Sequence, residues 1–286
     1  MMKPTPSTKL LELYGLPTFQ STAWKNVVSA QQCLFLNRKC LKNRKSVPEI
    51  TIGTCTITCG RHSQPVMICP FRLLERRQIF TDCVHLIRLH EPGNELRIIA
   101  ELTVPGGSID FCLVSVRDGR PRDFVGIELQ TLDTTGTLWP ERQRFLRSYK
   151  VRGKGQDVVS DKTFGVNWKM TAKTILVQLN HKIATFDQLS KRLVLVMQDC
   201  LLDYMRQEFA FDHIKGVRDG DPRQFHVYEL YKEPVAYALK LKERVSTDTA
   251  GIAGCLGLRA NRQVELQSML EQIAAKLPQS TLLTVV

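Results

Sequence analysis

Three residues near the middle of the chain have the types and spacing for hydrolytic chemistry on a phosphate: Asp110, Glu128 and Gln130. Glu128 and Gln130 are two apart, so on a strand they share a face while Ile127 and Leu129 turn the other way. An acid on one strand beside E-x-Q on the next offers two carboxylates to a hard divalent cation, and the Leu129 carbonyl between them adds a third oxygen. Mg²⁺ held in this way orients an attacking water and offsets charge on a pentavalent phosphate. Gln130 then positions that water or contacts the phosphate. Glu101 is a further candidate ligand. The plainer alternative is that Asp110 and Glu128 are surface charges on amphipathic strands.

A second group of residues is suited to a softer metal. Five of the nine cysteines lie close together: Cys33, Cys40, Cys55, Cys59 and Cys69. Taken over Cys33, Cys40, Cys55 and Cys69 the spacing is C-x6-C-x14-C-x13-C, without the tight C-x2-C of a zinc ribbon. The segments around them (CLFLNRKC, IGTCTIT and QPVMICPFR) are too short and basic to build much core. A tetrahedral thiolate site would replace that core, because metal binding supplies folding free energy directly. Cys59 competes with Cys55 for the third place; Cys55 is favoured because a Gly-Arg-His-Ser loop follows Cys59. The alternative is five unligated thiols in a small basic module. Cys83, Cys112, Cys200 and Cys255 sit in apolar surroundings and read as core.

The elements that must position these groups follow from periodicity. LRIIAELTV (96–104) reads as a strand, ended by Pro105-Gly106-Gly107. SIDFCLVSV (108–116) is a second strand, RDGRPRD (117–123) a turn with Asp118-Gly119 near its tip, and FVGIELQTL (124–132) a third strand. This hairpin puts Asp110 in one arm and Glu128 in the other. Asp133 reads as a turn former. From Phe164 to Phe186 the pattern is helical, with Val166, Met170, Ile175, Leu179 and Ile183 near a 3.6 period, and Trp168 reads as core. A buried strand (192–198), a helix (200–210), another strand (225–231) and an amphipathic helix (261–277) follow.

The whole chain has 286 residues and a formal charge of +12, and 43% of its residues are hydrophobic, enough for a sizeable core, so wholesale disorder is excluded. No apolar run approaches the ~18 residues needed to span a bilayer. The N-terminus lacks a signal-peptide core, which argues against export, and an odd cysteine count then points to reduced thiols. Residues 25–77 hold ten basic and two acidic side chains, so they carry +8 of the +12. Residues 141–173 carry nine basic and three acidic side chains. Both stretches suit a polyanion such as DNA. Arg38, Lys39 and Lys42 in the first, and Arg142, Arg147, Lys169 and Lys173 in the second, are the candidate contacts, with Arg152 and Lys154 in the same basic loop.

The strand bearing S-I-D, the hairpin and G-I-E-L-Q together resemble the PD-(D/E)xK nuclease core in its Gln variant. With CLFLNRKC, IGTC, VMICPFR and VGIELQTLDTTG, the chain resembles the NotI/EagI group of Type II restriction endonucleases over roughly residues 10–235. That resemblance implies an α/β fold, a mixed sheet flanked by helices, and an N-terminal metal module. It implies iron, or zinc, on Cys33, Cys40, Cys55 and Cys69, and catalysis by Asp110, Glu128 and Gln130 with Mg²⁺. It further implies a homodimer on double-stranded DNA, a GC-rich palindrome as target, a companion methyltransferase and a prokaryotic cytoplasm. The expected division is residues 1–78 as a helical segment with the metal module, and 79–286 as the nuclease core with a C-terminal helical extension. Gln130 departs from the usual Lys, which leaves the metal more of the electrostatic work. The alternatives are a metal-module DNA-binding protein without catalysis and a repair nuclease of the same fold without sequence specificity.

Overall fold

The computed structural model describes residues 9–60, 63–151, 163–209, 211, 213–218 and 221–256, with 270, 271, 274, 275 and 278 beyond them. Arg152 and Lys154 lie outside the described residues, as does most of the helix expected over 261–277.

The chain opens with a strand β1 (Leu10–Leu13) and a short helix α1 (Trp24–Ala30). Strands β2 (Thr54–Cys59) and β3 (Gln64–Met67) pair with each other, and β2 also pairs with β1, in a small antiparallel sheet. Among the described residues, Leu10–Leu13 is strand, and α1 is the helix that follows it. Glu12 of β1 is buried against Arg72, with Nε to Oε2 at 2.7 Å.

A seven-stranded mixed sheet forms the centre. It comprises β4 (Glu95–Val104), β5 (Gly107–Arg117), β6 (Arg120–Gln130), β7 (Arg192–Gln198), β8 (Arg223–Lys232) and β9 (Tyr237–Ser246), with Lys215–Gly216 as a short seventh strand. In space the order is Lys215–Gly216, β9, β8, β7, β6, β5, β4. The turns set the register of the antiparallel half. Asp118 and Gly119 have φ of 52° and 71°, as a tight hairpin turn requires, and Arg117 pairs with Arg120. The third strand therefore starts at Arg120, four residues before the sequence pattern places it, because that turn needs only two residues.

Strands β6, β7 and β8 are parallel, so each connection must cross the sheet. Between β6 and β7 the chain forms α2 (Trp139–Ser148) and the long α3 (Trp168–Gln188). Helix α3 starts later than its apolar periodicity predicts, because Gly165–Val166 pairs with Thr134–Thr135 instead. Met170 is correspondingly 55% exposed and no part of the core. Helices α4 (Asp199–Glu208) and α5 (Thr249–Cys255) follow β7 and β9.

Two apolar clusters lie on the two faces of the sheet. One joins Ile175, Leu179, Ile183 and Phe186 of α3 to Cys112, Val114, Leu10 and Ile57. The other joins Val125, Ile127 and Leu129 to Leu73, Ile79 and Phe80. Because the first cluster includes β1 and β2, the apolar core runs across the expected boundary at 78. Gly126 lies directly beneath α3, where a Cβ would stand 2.5 Å from the Phe186 ring. The glycine lets the helix come down onto the strand that carries Glu128.

Candidate active site and cysteine cluster

The two carboxylates meet where the sheet comes apart. The β5–β6 ladder runs from Arg117–Arg120 to Phe111–Ile127 and stops there. On the other side, Ile109 pairs with Leu102 and Phe111 with Ala100, but Asp110 drops out between them. Opposite that gap, Glu101 has a φ of 56°, uncommon for a residue with a side chain. Released from both ladders, Asp110 uses its carboxylate as a backbone group would: Leu129 N–H donates to Oδ2 at 2.8 Å. That bond holds the fork at a fixed opening and fixes Asp110 relative to the E-x-Q strand.

Glu128 lies beside Asp110 on the face covered by α3 and is only 7% exposed. The Lys182 ammonium from α3 donates to its Oε1 at 2.7 Å. Burial pushes the Glu128 carboxyl up to about 7; Lys182 pulls it down and the neighbouring Asp110 charge pushes it further up. Gln130 is half-buried, and its amide donates to the Thr131 carbonyl at 2.6 Å. Glu101 is exposed on β4, and the charges that bear on Glu128 are Lys182 and Asp110.

Lys182 is the functional residue that sequence reasoning passed over. The signal was present: it falls three residues after Leu179 and four before Phe186, on the buried stripe of α3. A lysine there is costly unless paired. Helix α3 is also tied to the turn before β5, with Thr185 Oγ1 donating to the Pro105 carbonyl at 2.8 Å.

The cysteines form a second centre. Cys33 belongs to a short hairpin, Gln32–Cys33 against Arg38–Lys39, and Cys40 follows it. Cys55 is on β2, and Cys69 follows β3. All four are buried. Burial raises the Cys33 and Cys40 thiols, with Cys69 adding to both. The Cys55 and Cys69 thiols are hydrogen-bonded to each other, which lowers Cys69 to about 7, with Lys42 assisting, and raises Cys55. Cys59 is half-buried at the end of β2 and is not among the groups that bear on these four. Among the described residues, no three His, Cys, Asp or Glu side chains are gathered closely enough to hold a metal ion.

The basic candidates divide. Arg142 is 1% exposed and corrects the sequence reading: its guanidinium donates to the Ile52 carbonyl at 2.8 Å and lies 4.6 Å from the Trp139 ring centre. It braces α2 against the N-terminal loops and does not face DNA. Lys42 is half-buried, with Nζ donating to the Ile68 carbonyl at 3.1 Å beside Cys69. Arg38, Lys39, Arg147, Lys169 and Lys173 are exposed. Lys39 Nζ donates to the Glu49 carbonyl at 3.1 Å.

A mixed sheet with two carboxylates at its forked end offers a donor set suited to phosphodiester hydrolysis. A family model for the restriction endonuclease NotI matches residues 29–221, more than half of the chain. The chain belongs to the NotI restriction endonuclease family. It is accordingly a Type II site-specific deoxyribonuclease acting on double-stranded DNA, which sets aside the reading as a binding module without catalysis. No curated protein matches the chain. None of its described helices is long and apolar enough to cross a membrane.

Proposed function

We propose that the forked strands are a catalytic centre of the PD-(D/E)xK type, with Asp110 and Glu128 as ligands of Mg²⁺ and Gln130 beside them. The observation behind this is the release of Asp110 from both ladders and its anchoring on Leu129 next to buried Glu128. Two neighbouring carboxylates that repel each other, one of them buried, are the donor set a hard cation takes. When bound, the cation supplies Lewis-acid polarisation of the phosphate. The chain itself anchors Asp110 on Leu129, covers Glu128 with α3, and holds the Gln130 amide on the Thr131 carbonyl beside them. In the reaction a water oxygen adds to phosphorus and one P–O ester bond breaks, leaving a phosphate monoester and a hydroxyl. Glu101 is not needed in this arrangement.

The four thiols Cys33, Cys40, Cys55 and Cys69 are the proposed ligands of one iron or zinc: each is buried and bears electrically on others of the set, and binding would have to draw them closer together than they stand here. Four thiolates leave no open position, so that metal is structural. Arg38, Lys39, Arg147, Lys169 and Lys173 are the phosphate contacts. A homodimer reads a GC-rich palindrome, with one active site per strand and a methyltransferase of the same specificity protecting the host DNA. Strand β4 supports the dimer: it is an edge strand, and Leu96, Ile98, Ile99 and Leu102 are 39–45% exposed along it. Antiparallel pairing of two copies about Ile99 sets Arg97 of one opposite Glu101 of the other, and Leu96 opposite Leu102.

Digesting a long DNA with Mg²⁺ and sequencing the ends tests the reading. Discrete ends sharing one short palindrome are expected. Scattered ends would mean a nuclease without a fixed site, and ends that form without a divalent cation would overturn the metal assignment.

A further inference from the structure

We propose that Lys182 supplies, from helix α3, the active-site ammonium that position 130 does not provide. The inference rests on the proposed catalytic centre and adds a residue to it.

The geometry leads to it in steps. Strand β6 carries Glu128 but offers only a neutral amide at 130, and that amide is turned to the Thr131 carbonyl. Among the described residues the cation paired with Glu128 comes from the opposite layer: Lys182 Nζ is 2.7 Å from Glu128 Oε1, with both side chains under a tenth exposed. A lone lysine on the apolar stripe of a helix is expensive to bury. A purely packing role would be filled better by the leucine or isoleucine found at neighbouring stripe positions. The turn before β5 packs closely on the helix at this level. Gly107 packs against the Lys182 side chain, and Gly106, with a φ of 91°, lets the turn come close to the helix, since a Cβ there would stand 3.1 Å from the His181 carbonyl oxygen. Thr185 fixes the next turn of the helix to Pro105. Helix α3 and the turn before β5 are therefore locked together at the level of Lys182, so the ammonium is delivered to the fork by rigid elements.

Such a cation has two consequences. It offsets the charge of Glu128 and Asp110, so it competes with a divalent cation for the same oxygens. It also stands within reach of charge that builds on a phosphate at the fork, where a fixed donor in a low-dielectric site is worth most. Removing it should therefore tighten cation binding while slowing cleavage, a pair of effects that loss of structure does not give.

The test uses the full-length protein with Lys182→Met, with Lys182→Gln as the variant of choice if the first does not fold. Cleavage of a plasmid carrying the site should fall about 100-fold or more. Without DNA, Ca²⁺ should raise the melting temperature of the variant more than that of the wild type. Adding Gln130→Lys to the variant should restore at least tenfold of the lost rate. A variant that cuts at the wild-type rate, an unchanged or smaller Ca²⁺ shift, or a double variant with no recovery would overturn the proposal. Asp110→Asn run alongside separates the two readings. If it is inactive while Lys182→Met cuts normally, only the role of Lys182 fails; if it cuts normally, the catalytic centre is misplaced.

Discussion

The fork and the cysteine cluster each gather groups whose charged forms repel one another, and each sets a lysine beside them. At the fork it is Lys182 against Glu128; at the cluster it is Lys42 beside Cys69. They differ in what holds them. Asp110 and Glu128 sit on long strands of the central sheet, and the apolar clusters on both faces keep those strands in place whatever binds at their ends. Cys33 sits in a hairpin of two-residue strands and Cys40 just after it, while Cys55 is on the small sheet and Cys69 two residues past the end of β3. The fork, the proposed active site, is thus a local break in a strong scaffold, and the cysteine cluster is a join between smaller elements. Chemistry should be lost at the first without loss of fold, and fold should be lost at the second.

The largest effect that sharpens this contrast is at the cysteines. Cys69→Ser should reduce bound metal from about one iron or zinc per chain to near none, with a large drop in melting temperature. Elemental analysis and a thermal melt check it. An unchanged melt with metal absent from both proteins would sink the four-thiolate site.

Next comes the ion pair that ties the small sheet to the large one. Arg72 is fully buried between Glu12 and Glu75, and it also donates to the Tyr237 carbonyl of β9 at 2.9 Å. Arg72→Met strands the Glu12 carboxylate and should cost roughly 3–5 kcal/mol in denaturant unfolding. A loss below about 1 kcal/mol would show that the two sheets do not depend on this join.

The smallest effect concerns acid. Burial pushes the Asp123 carboxyl up, but the Lys191 ammonium and the N–H groups of Leu89 and Phe124 outweigh it and hold the group below its ordinary value. A depressed acid contributes stability above its unfolded pKa of 3.8 and loses it as pH falls below that. Asp123→Asn should therefore lower the melting temperature at pH 7 by a few degrees and shrink the fall seen between pH 5 and pH 3. An identical acid profile in both proteins would contradict the assignment.

Much of the fork was legible in the sequence. Runs rich in β-branched and large apolar residues located β4, β5 and β6, and Asp118-Gly119 announced the β5–β6 hairpin. What those runs could not show is that the ladder fails at Asp110, because that depends on a side chain replacing a backbone partner. Lys182 was hidden for a similar reason: α3 reads as an ordinary amphipathic helix until Glu128 is known to lie under it. The charge of the N-terminal stretch misled in the opposite direction. Arg72 is internal, and Arg44 lies 4.4 Å from the Trp139 ring centre, so part of that +8 binds the protein to itself. Arg142 failed as a DNA contact on the same ground, since composition does not tell a brace from a surface charge. The strand β9 and helix α2 were missed because their patterns are weak and tertiary packing supplies what propensity does not.

The central claim is that the fork is where phosphodiester bonds are cut, and Asp110→Asn tests it most directly. Asparagine keeps an oxygen to accept the Leu129 N–H but removes the charge that would hold a divalent cation. The variant should melt within a few degrees of the wild type and still bind DNA, while its single-turnover cleavage rate with Mg²⁺ falls by about 10³-fold, equivalent to roughly 4 kcal/mol of barrier. Cleavage at the wild-type rate by a folded Asp110→Asn protein would contradict the account.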